Sequence, residues 1–245
     1  MEAHLYEAML AAEDHHWWFK GTHDLVVHFV QKESLRRDET IQILDAGCGT
    51  GRLCQLLAPL GSVTGCDSHP FAVKETLSRG VSNVRVVDLC DGGFAEQEFD
   101  VITLIDVISH QRITDDSALM KDLHRALRNG GLLVVQVAAL EWLRGSHDEA
   151  AHIRHRYLRH EVAHLLTAAG FCIEFSSYRL PGLLLPIFIW RRLFGQSIAD
   201  SDLDLPCPVW LNWLLDQLVR MENRLLCLGM ELPFGSSLVA LGRKL

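Results

Sequence analysis

Apolar positions along this chain follow two rhythms. Short runs rich in Val, Ile and Leu, the pattern of strands buried in a sheet, occur at residues 41–45, 62–67, 84–88, 99–106, 132–139, 171–180 and 237–244. Between them the spacing turns helical. Leu119, Leu123, Ala126 and Leu127 mark one face of a helix over 116–128, and Val162, Leu165, Leu166 and Ala169 mark another over 159–169. Asn129-Gly130-Gly131 and Gly170 supply their stops. The runs at 99–106 and 132–139 are apolar almost without interruption, as in parallel strands covered on both faces. Strands alternating with helices predict an α/β fold, a mostly parallel sheet with helices on both sides.

The first strand, built on Ile41, Ile43 and Leu44, runs into Asp45-Ala46-Gly47-Cys48-Gly49-Thr50-Gly51-Arg52. Gly47, Gly49 and Gly51 strip side chains from a sharp strand-to-helix turn and let a ligand approach the backbone. A dinucleotide fingerprint needs a third glycine where this chain has Arg52. The carboxylate of Asp45 suits an ammonium group better than a phosphate. These features point to S-adenosylmethionine, a nucleoside carrying a methionine.

In this stretch the chain resembles the class I S-adenosylmethionine-dependent methyltransferases, and further motifs follow in family order. The resemblance implies a Rossmann-like, seven-stranded sheet whose last strand, 237–244, pairs antiparallel at the sheet edge. Asp67 lies 22 residues after Asp45 at the end of the second strand. An acid there accepts hydrogen bonds from ribose hydroxyls and is also placed to cap the next helix. The resemblance assigns Asp88 to the adenine amine and Leu89 to the flank of the ring. Cys48 and Ser68, beside the turn and beside Asp67, complete the expected cofactor contacts.

The N-terminal 40 residues read as a helical cap containing His15-His16-Trp17-Trp18-Phe19-Lys20. The aromatics either pack on the sheet edge or help close the cofactor pocket, with Trp18 over it and Lys20 facing a carboxylate. Small-molecule methyltransferases open with a similar His-Trp-Trp-Phe-Arg stretch. Asp106, counted among the cofactor contacts, and His110, both just past the fourth strand, belong at the mouth of the site, because open α/β sheets bind ligands beyond the carboxyl ends of their strands. His110 is the expected general base, with His147 as second candidate and Asp148 as its orienting partner. The stretch 146–157 resembles a His-Asp…His-x-Arg-Arg-Tyr pattern of related enzymes, which places His152, Arg156 and Tyr157 toward the substrate. Some quinone-pathway relatives bind a metal through Glu-x-x-Glu-His. Here Asp106-Val107-Ile108-Ser109-His110 lacks the central carboxylate, so no metal is expected. His160-Glu161-Val162-Ala163-His164 matches a zinc-protease motif, but its histidines fall on the outer side of a crossover helix, with no third ligand in view.

Composition narrows the partners. A net charge of −8 argues against a nucleic-acid substrate. Seven cysteines without a Cys-x-x-Cys pair, and an N-terminus without a secretory signal, suggest a cytoplasmic protein. Residues 41–180 form the expected cofactor-binding core and 236–245 return its last strand. Residues 181–235 read as a helical insertion before that strand, carrying Leu183-Leu184-Leu185-Pro186-Ile187-Phe188-Ile189-Trp190 and Trp210-Leu211-Asn212-Trp213. Its apolar faces suit a hydrophobic small-molecule or lipid-linked substrate, a homodimer or peripheral membrane contact. The expected activity is methyl transfer to an O, N or C atom. A non-catalytic subunit that binds the cofactor and a non-methylating user of it are the alternatives.

Overall fold

The computed structural model describes residues 3–184 and 207–245, apart from the side chains of Ala3, Ser146 and His147. The apolar runs become seven strands: β1 (Ile41–Ala46), β2 (Gly61–Asp67), β3 (Val84–Val86), β4 (Phe99–Ile105), β5 (Leu127–Ala138), β6 (Phe171–Arg179) and β7 (Ser237–Lys244). They form one sheet in the order β3-β2-β1-β4-β5-β7-β6. Strands β1 to β5 pair in parallel, and β7 runs antiparallel to both of its neighbours. The order reverses between β1 and β4, where a doubly wound sheet opens its ligand crevice.

The last strand departs from expectation. It lies one place in from the edge, between β5 and β6, and β6 forms the edge instead. Leu238, Val239, Ala240 and Leu241 are all buried, so the strand needs cover on both faces and neighbours on both sides.

Alternation along each strand sorts side chains into two cores. Leu133, Val135 and Val137 of β5 join Ile102 and Leu104 on one face, and Leu132 and Val134 join Ile43 and Val101 on the other. Helices α5 (Asp116–Ala126) and α7 (Arg159–Ala168) close the first face through Leu119, Leu123, Val162 and Leu166. Helices α2 (Trp17–Ser34) and α3 (Arg52–Leu57) close the second through Leu25, Val26, Phe29 and Leu53. Shorter helices are α1 (Ala3–Ala12), α4 (Pro70–Ser78) and α6 (Ser146–Ala150). Helix α5 stops before the expected residue 128 because Leu127 already pairs with Phe99 in the sheet.

Of the insertion before β7, the helix α8 (Val209–Cys227) is described, and it packs on α2. The two axes approach closely at Gly21, where a Cβ would meet Val219 at 2.2 Å. The first apolar segment of the insertion lies outside the described residues beyond Leu184. Helix α8 buries Asp216, Val219, Asn223 and Leu226, while Trp210 (67% exposed), Trp213, Leu214, Leu218 and Met221 face outward. Among the described residues no helix is long and apolar enough to cross a membrane.

Candidate functional site

The glycine turn follows β1 because the backbone must reverse at once to start α3. Gly47 adopts φ +81 and a Cβ there would meet Val107 at 2.3 Å; Gly51 adopts φ +85 with Thr76 atoms 2.6 Å from the same point. Side chains at either position would be strained and would clash. The amides of Gly47 and Cys48 both bond Cys66 O, which ties the turn to the end of β2.

Around this turn the structure distributes the expected residues unevenly. Asp45 points inward. Its carboxylate takes hydrogens from Thr103 Oγ1 at 2.7 Å and Cys54 Sγ at 3.2 Å, and burial pushes it up to about 6. Asp67 faces the turn instead. Its Oδ2 accepts from the Gly49 amide at 3.0 Å, and its Oδ1 accepts from the His69 amide and the Tyr6 hydroxyl, both at 2.9 Å. Cys48 is buried beside Thr76. On the neighbouring strand ends, Asp88 caps the turn Leu89–Asp91 by accepting from the Cys90 amide, and Leu89 is buried beneath it. Arg112 reaches across the opening, 3.1 Å from Ser68 Oγ and 3.9 Å from Asp88 Oδ2.

Helix α1 covers this side. Tyr6 lies on Asp67 and against His69, with ring centroids 4.7 Å apart. The Met9 sulfur stands 3.0 Å from where a Gly49 Cβ would be. Glu13, 3% exposed, anchors the helix by accepting from Thr50 Oγ1 and Arg79 Nη2, both at 2.6 Å.

At the end of β4, Asp106 takes φ +56 and accepts from Gln136 Nε2 at 3.0 Å. His110 stands four residues on and packs against His152, with ring centroids 5.8 Å apart. Residues 110 and 153 form a backbone bridge that brings the two segments together. Arg156 and Tyr157 turn inward. Arg156 donates to Asp148 at 2.7 Å and to Ala139 O, and the Tyr157 hydroxyl donates to Asp116 at 2.7 Å. Asp148 also accepts from the Gly145 amide. These contacts lock the loop after β5 onto the sheet. Trp18 is half-buried, edge-on to Phe19, and Lys20 pairs with Asp216 of α8 at 3.2 Å. The His147 side chain lies outside the description. His160 and His164 are exposed on α7, and among the described residues no group of three or more His, Cys, Asp or Glu could hold a metal.

Sequence reasoning passed over Tyr6, Met9, Arg112, Gln136 and Arg179. One signal was available: Gln136 is a polar residue within an otherwise apolar strand.

The side chain of His23, on α2 behind the turn, is pushed down to about 4 by burial, with the nearby Arg52 and Arg79 adding to the shift. Between pH 6.5 and about 4 the unfolded chain therefore binds a proton that the folded chain refuses, so acidification costs stability. A His23→Gln variant is expected to gain stability relative to the parent as pH falls through this window. Urea midpoints of both proteins at pH 7 and pH 5 check it, and an equal difference at the two pH values would refute it.

The residues present fit a nucleoside with a vicinal diol and an exocyclic amine. The turn itself carries glycines at 47, 49 and 51, Asp67 stands at the tip of β2, and Asp88 lies half-open at the next strand.

Comparison with known proteins places the chain in a family. A family model described as a methyltransferase domain matches residues 18–174. The ubiquinone biosynthesis O-methyltransferase of Pseudomonas syringae pv. tomato is 31% identical over 141 residues, covering 51% of this chain and 58% of that protein. This chain therefore aligns with less than two thirds of that relative's length. Among solved structures, an S-adenosylmethionine-dependent methyltransferase from Mesorhizobium loti superposes with a TM-score of 0.58 at 16% identity, covering 87% of this chain and 95% of that one. The [4+2]-cyclase SpnF superposes with a TM-score of 0.58 at 18% identity, covering 89% of this chain and 79% of that one.

Proposed function

The chain belongs to the methyltransferase-domain family, and from that premise we propose that it moves a methyl group from S-adenosylmethionine to a small apolar metabolite. The observation that carries the reading is Asp67 bonded to the glycine turn through the Gly49 amide, with Asp88 on the adjoining strand end. Asp67 would hold the ribose, Asp88 the adenine amine with Leu89 beneath the ring, and Gly47 to Gly51 the methionine portion; Cys48 and Ser68 line the same pocket. When bound, the cofactor supplies a sulfonium methyl that passes to an acceptor lone pair while the carbon–sulfur pair stays on sulfur. The chain contributes alignment and exclusion of water, to which residues 1–40 add a cap through Tyr6, Met9 and Trp18.

The acceptor side lies at His110 and His152, past the end of β4. A relative named for ubiquinone biosynthesis supports a hydroxylated, apolar acceptor. The outward face of α8, with Trp210 and Trp213, supports contact with a lipid surface or a second copy of the chain, and a lipid-linked acceptor is consistent with either. Its seven cysteines are all free, which fits work in a reducing compartment.

Incubation with methyl-labelled cofactor and a metabolite extract, followed by mass spectrometry, tests the proposal. A labelled product one methyl heavier than its precursor is expected. Cofactor turnover with no gain in product mass would point to non-methylating chemistry and overturn it, and a calorimeter finding NAD or ATP in place of the cofactor would do so too.

A further inference from the structure

Two of the carboxylates at the ligand edge are already engaged. Both oxygens of Asp45 take hydrogens from Thr103 and Cys54, and both oxygens of Asp67 are bonded by Tyr6, His69 and Gly49. Asp106 differs. Its Oδ2 accepts from Gln136, its Oδ1 accepts no hydrogen bond among the described residues, and the residue is half-buried. The left-handed backbone at φ +56, held by the Asp106 amide bonding Gln136 O at 2.9 Å, turns the residue out of the strand at the switch point of the sheet.

His110 is arranged for a different task. Its Nδ1 accepts from the Arg112 amide at 3.1 Å, so the hydrogen of the neutral ring sits on Nε2. Burial, with His152 and Arg112 nearby, holds the ring down to about 4, so it stays neutral. Such a ring donates a hydrogen bond through Nε2 and accepts a proton poorly.

The orientation of Gln136 is fixed from behind. Arg179, 1% exposed, donates through Nη1 to Gln136 Oε1 and to Thr22 Oγ1, and through Nη2 to Asn223 Oδ1 at 3.3 Å and Gly21 O at 3.4 Å. Glu222 of α8 lies 3.8 Å from its Nε. A guanidinium has only donors, so the amide must turn its oxygen to Arg179 and its N–H to Asp106. A donor at Oδ2 favours the ionised carboxylate.

We propose that Asp106 accepts the proton of the methyl acceptor and that Arg179 is its positioning residue, acting through Gln136. This rests on the methyl-transfer reading above. As the acceptor atom takes up the methyl, its O–H or N–H bond breaks, the bonding pair stays on that atom and the proton moves to Asp106 Oδ1, from which it later leaves to solvent. Burial lifts Asp106 to about 6, a value suited to a base near neutrality, against the opposing pull of Gln136, Arg179 and Arg156. The His110 ring lies beside His152 past the end of β4, on the acceptor side. The helix α8 supports the arrangement through Asn223 and Glu222, which links the insertion to the reacting edge.

Carbon-13 NMR titration of the aspartate carboxyls tests the positioning, with the Asp106 signal identified by its loss in Asp106→Asn. The midpoint is expected near 6 in the parent. It should rise by about one unit or more in Arg179→Met, where the amide is free to turn, and return toward the parent in Arg179→Lys. Gln136→Met, which removes the amide donor at similar size, is expected to raise it as well and serves if Arg179→Met does not fold. A midpoint unmoved in these variants overturns the role of Arg179. Transfer of label into the extract tests the base: Asp106→Asn is expected to slow it roughly 100-fold, with cofactor affinity by calorimetry changed only a few-fold. Normal transfer by Asp106→Asn overturns the assignment. If the parent itself transfers no label, the methyl-transfer reading fails and the base assignment with it, while the titration still decides what Arg179 does.

Discussion

Replacing Asp67 with alanine is expected to weaken binding of S-adenosylmethionine roughly 100-fold while the sheet stays folded. The estimate rests on two hydrogen bonds from ribose hydroxyls to a charged carboxylate, together worth about 3 kcal/mol, at about 1.4 kcal/mol per tenfold. Alanine also removes the acceptor of the Gly49 amide and so loosens the glycine turn. Asp67→Asn keeps the shape and one acceptor oxygen, and a smaller loss is expected of it. Isothermal titration of both variants, with thermal melts as a control on folding, decides the matter. Unchanged affinity in the alanine variant would remove Asp67 from the ribose. The Tyr6 hydroxyl occupies the same carboxylate, so the diol must share Oδ1 with it or displace it.

Arg156→Ala is expected to cost about 3–5 kcal/mol of stability, because it strips the guanidinium from a fully buried carboxylate, Asp148. For a chain of this size that corresponds to a fall in Tm of roughly 6–20 °C. The loop between β5 and α7 should loosen with it, since Arg156 also bonds Ala139 O at the end of the strand. Removing both charges, as Arg156→Met with Asp148→Leu, should recover much of the loss, because neither charge of the pair is then left buried without its partner. An Arg156→Ala melt equal to the parent's would show that the pair does not hold the loop. The sequence placed Arg156 and Tyr157 toward the substrate. The structure turns both inward, Tyr157 through its bond to Asp116.

The glycine turn and the strand-end acids of the candidate site were readable because they are local. The glycine turn needs only a strand, a reversal and a helix start, and these are adjacent in the chain. Asp67 and Asp88 sit at strand ends, and a parallel sheet carries strand ends to one edge regardless of side-chain detail. His110 and His152 were singled out separately, and the backbone bridge between residues 110 and 153 places them side by side. Their chemistry was less legible. Nothing in the sequence shows that the Arg112 amide takes His110 Nδ1, yet that one bond decides whether the ring gives or accepts a hydrogen. Lys20 was expected to help close the cofactor pocket, and in the structure it pairs instead with Asp216, 196 residues away on α8.

By itself, then, the order of residues determined the α/β class, the strand and helix spans to within a few positions, and the glycine turn and acids at one edge of the sheet. Hydrophobic periodicity and turn chemistry act over a few neighbouring residues, so they are written into any short window of the chain. Folding alone decided that the last strand enters beside β5, that Asp45 turns inward while Asp67 faces the turn, that α1 lays Tyr6 and Met9 over Asp67 and Gly49, and that Arg179 sets Gln136 against Asp106. Each of these depends on which polar groups a closed interior leaves in need of a partner, and the partners come from parts of the chain far apart in sequence.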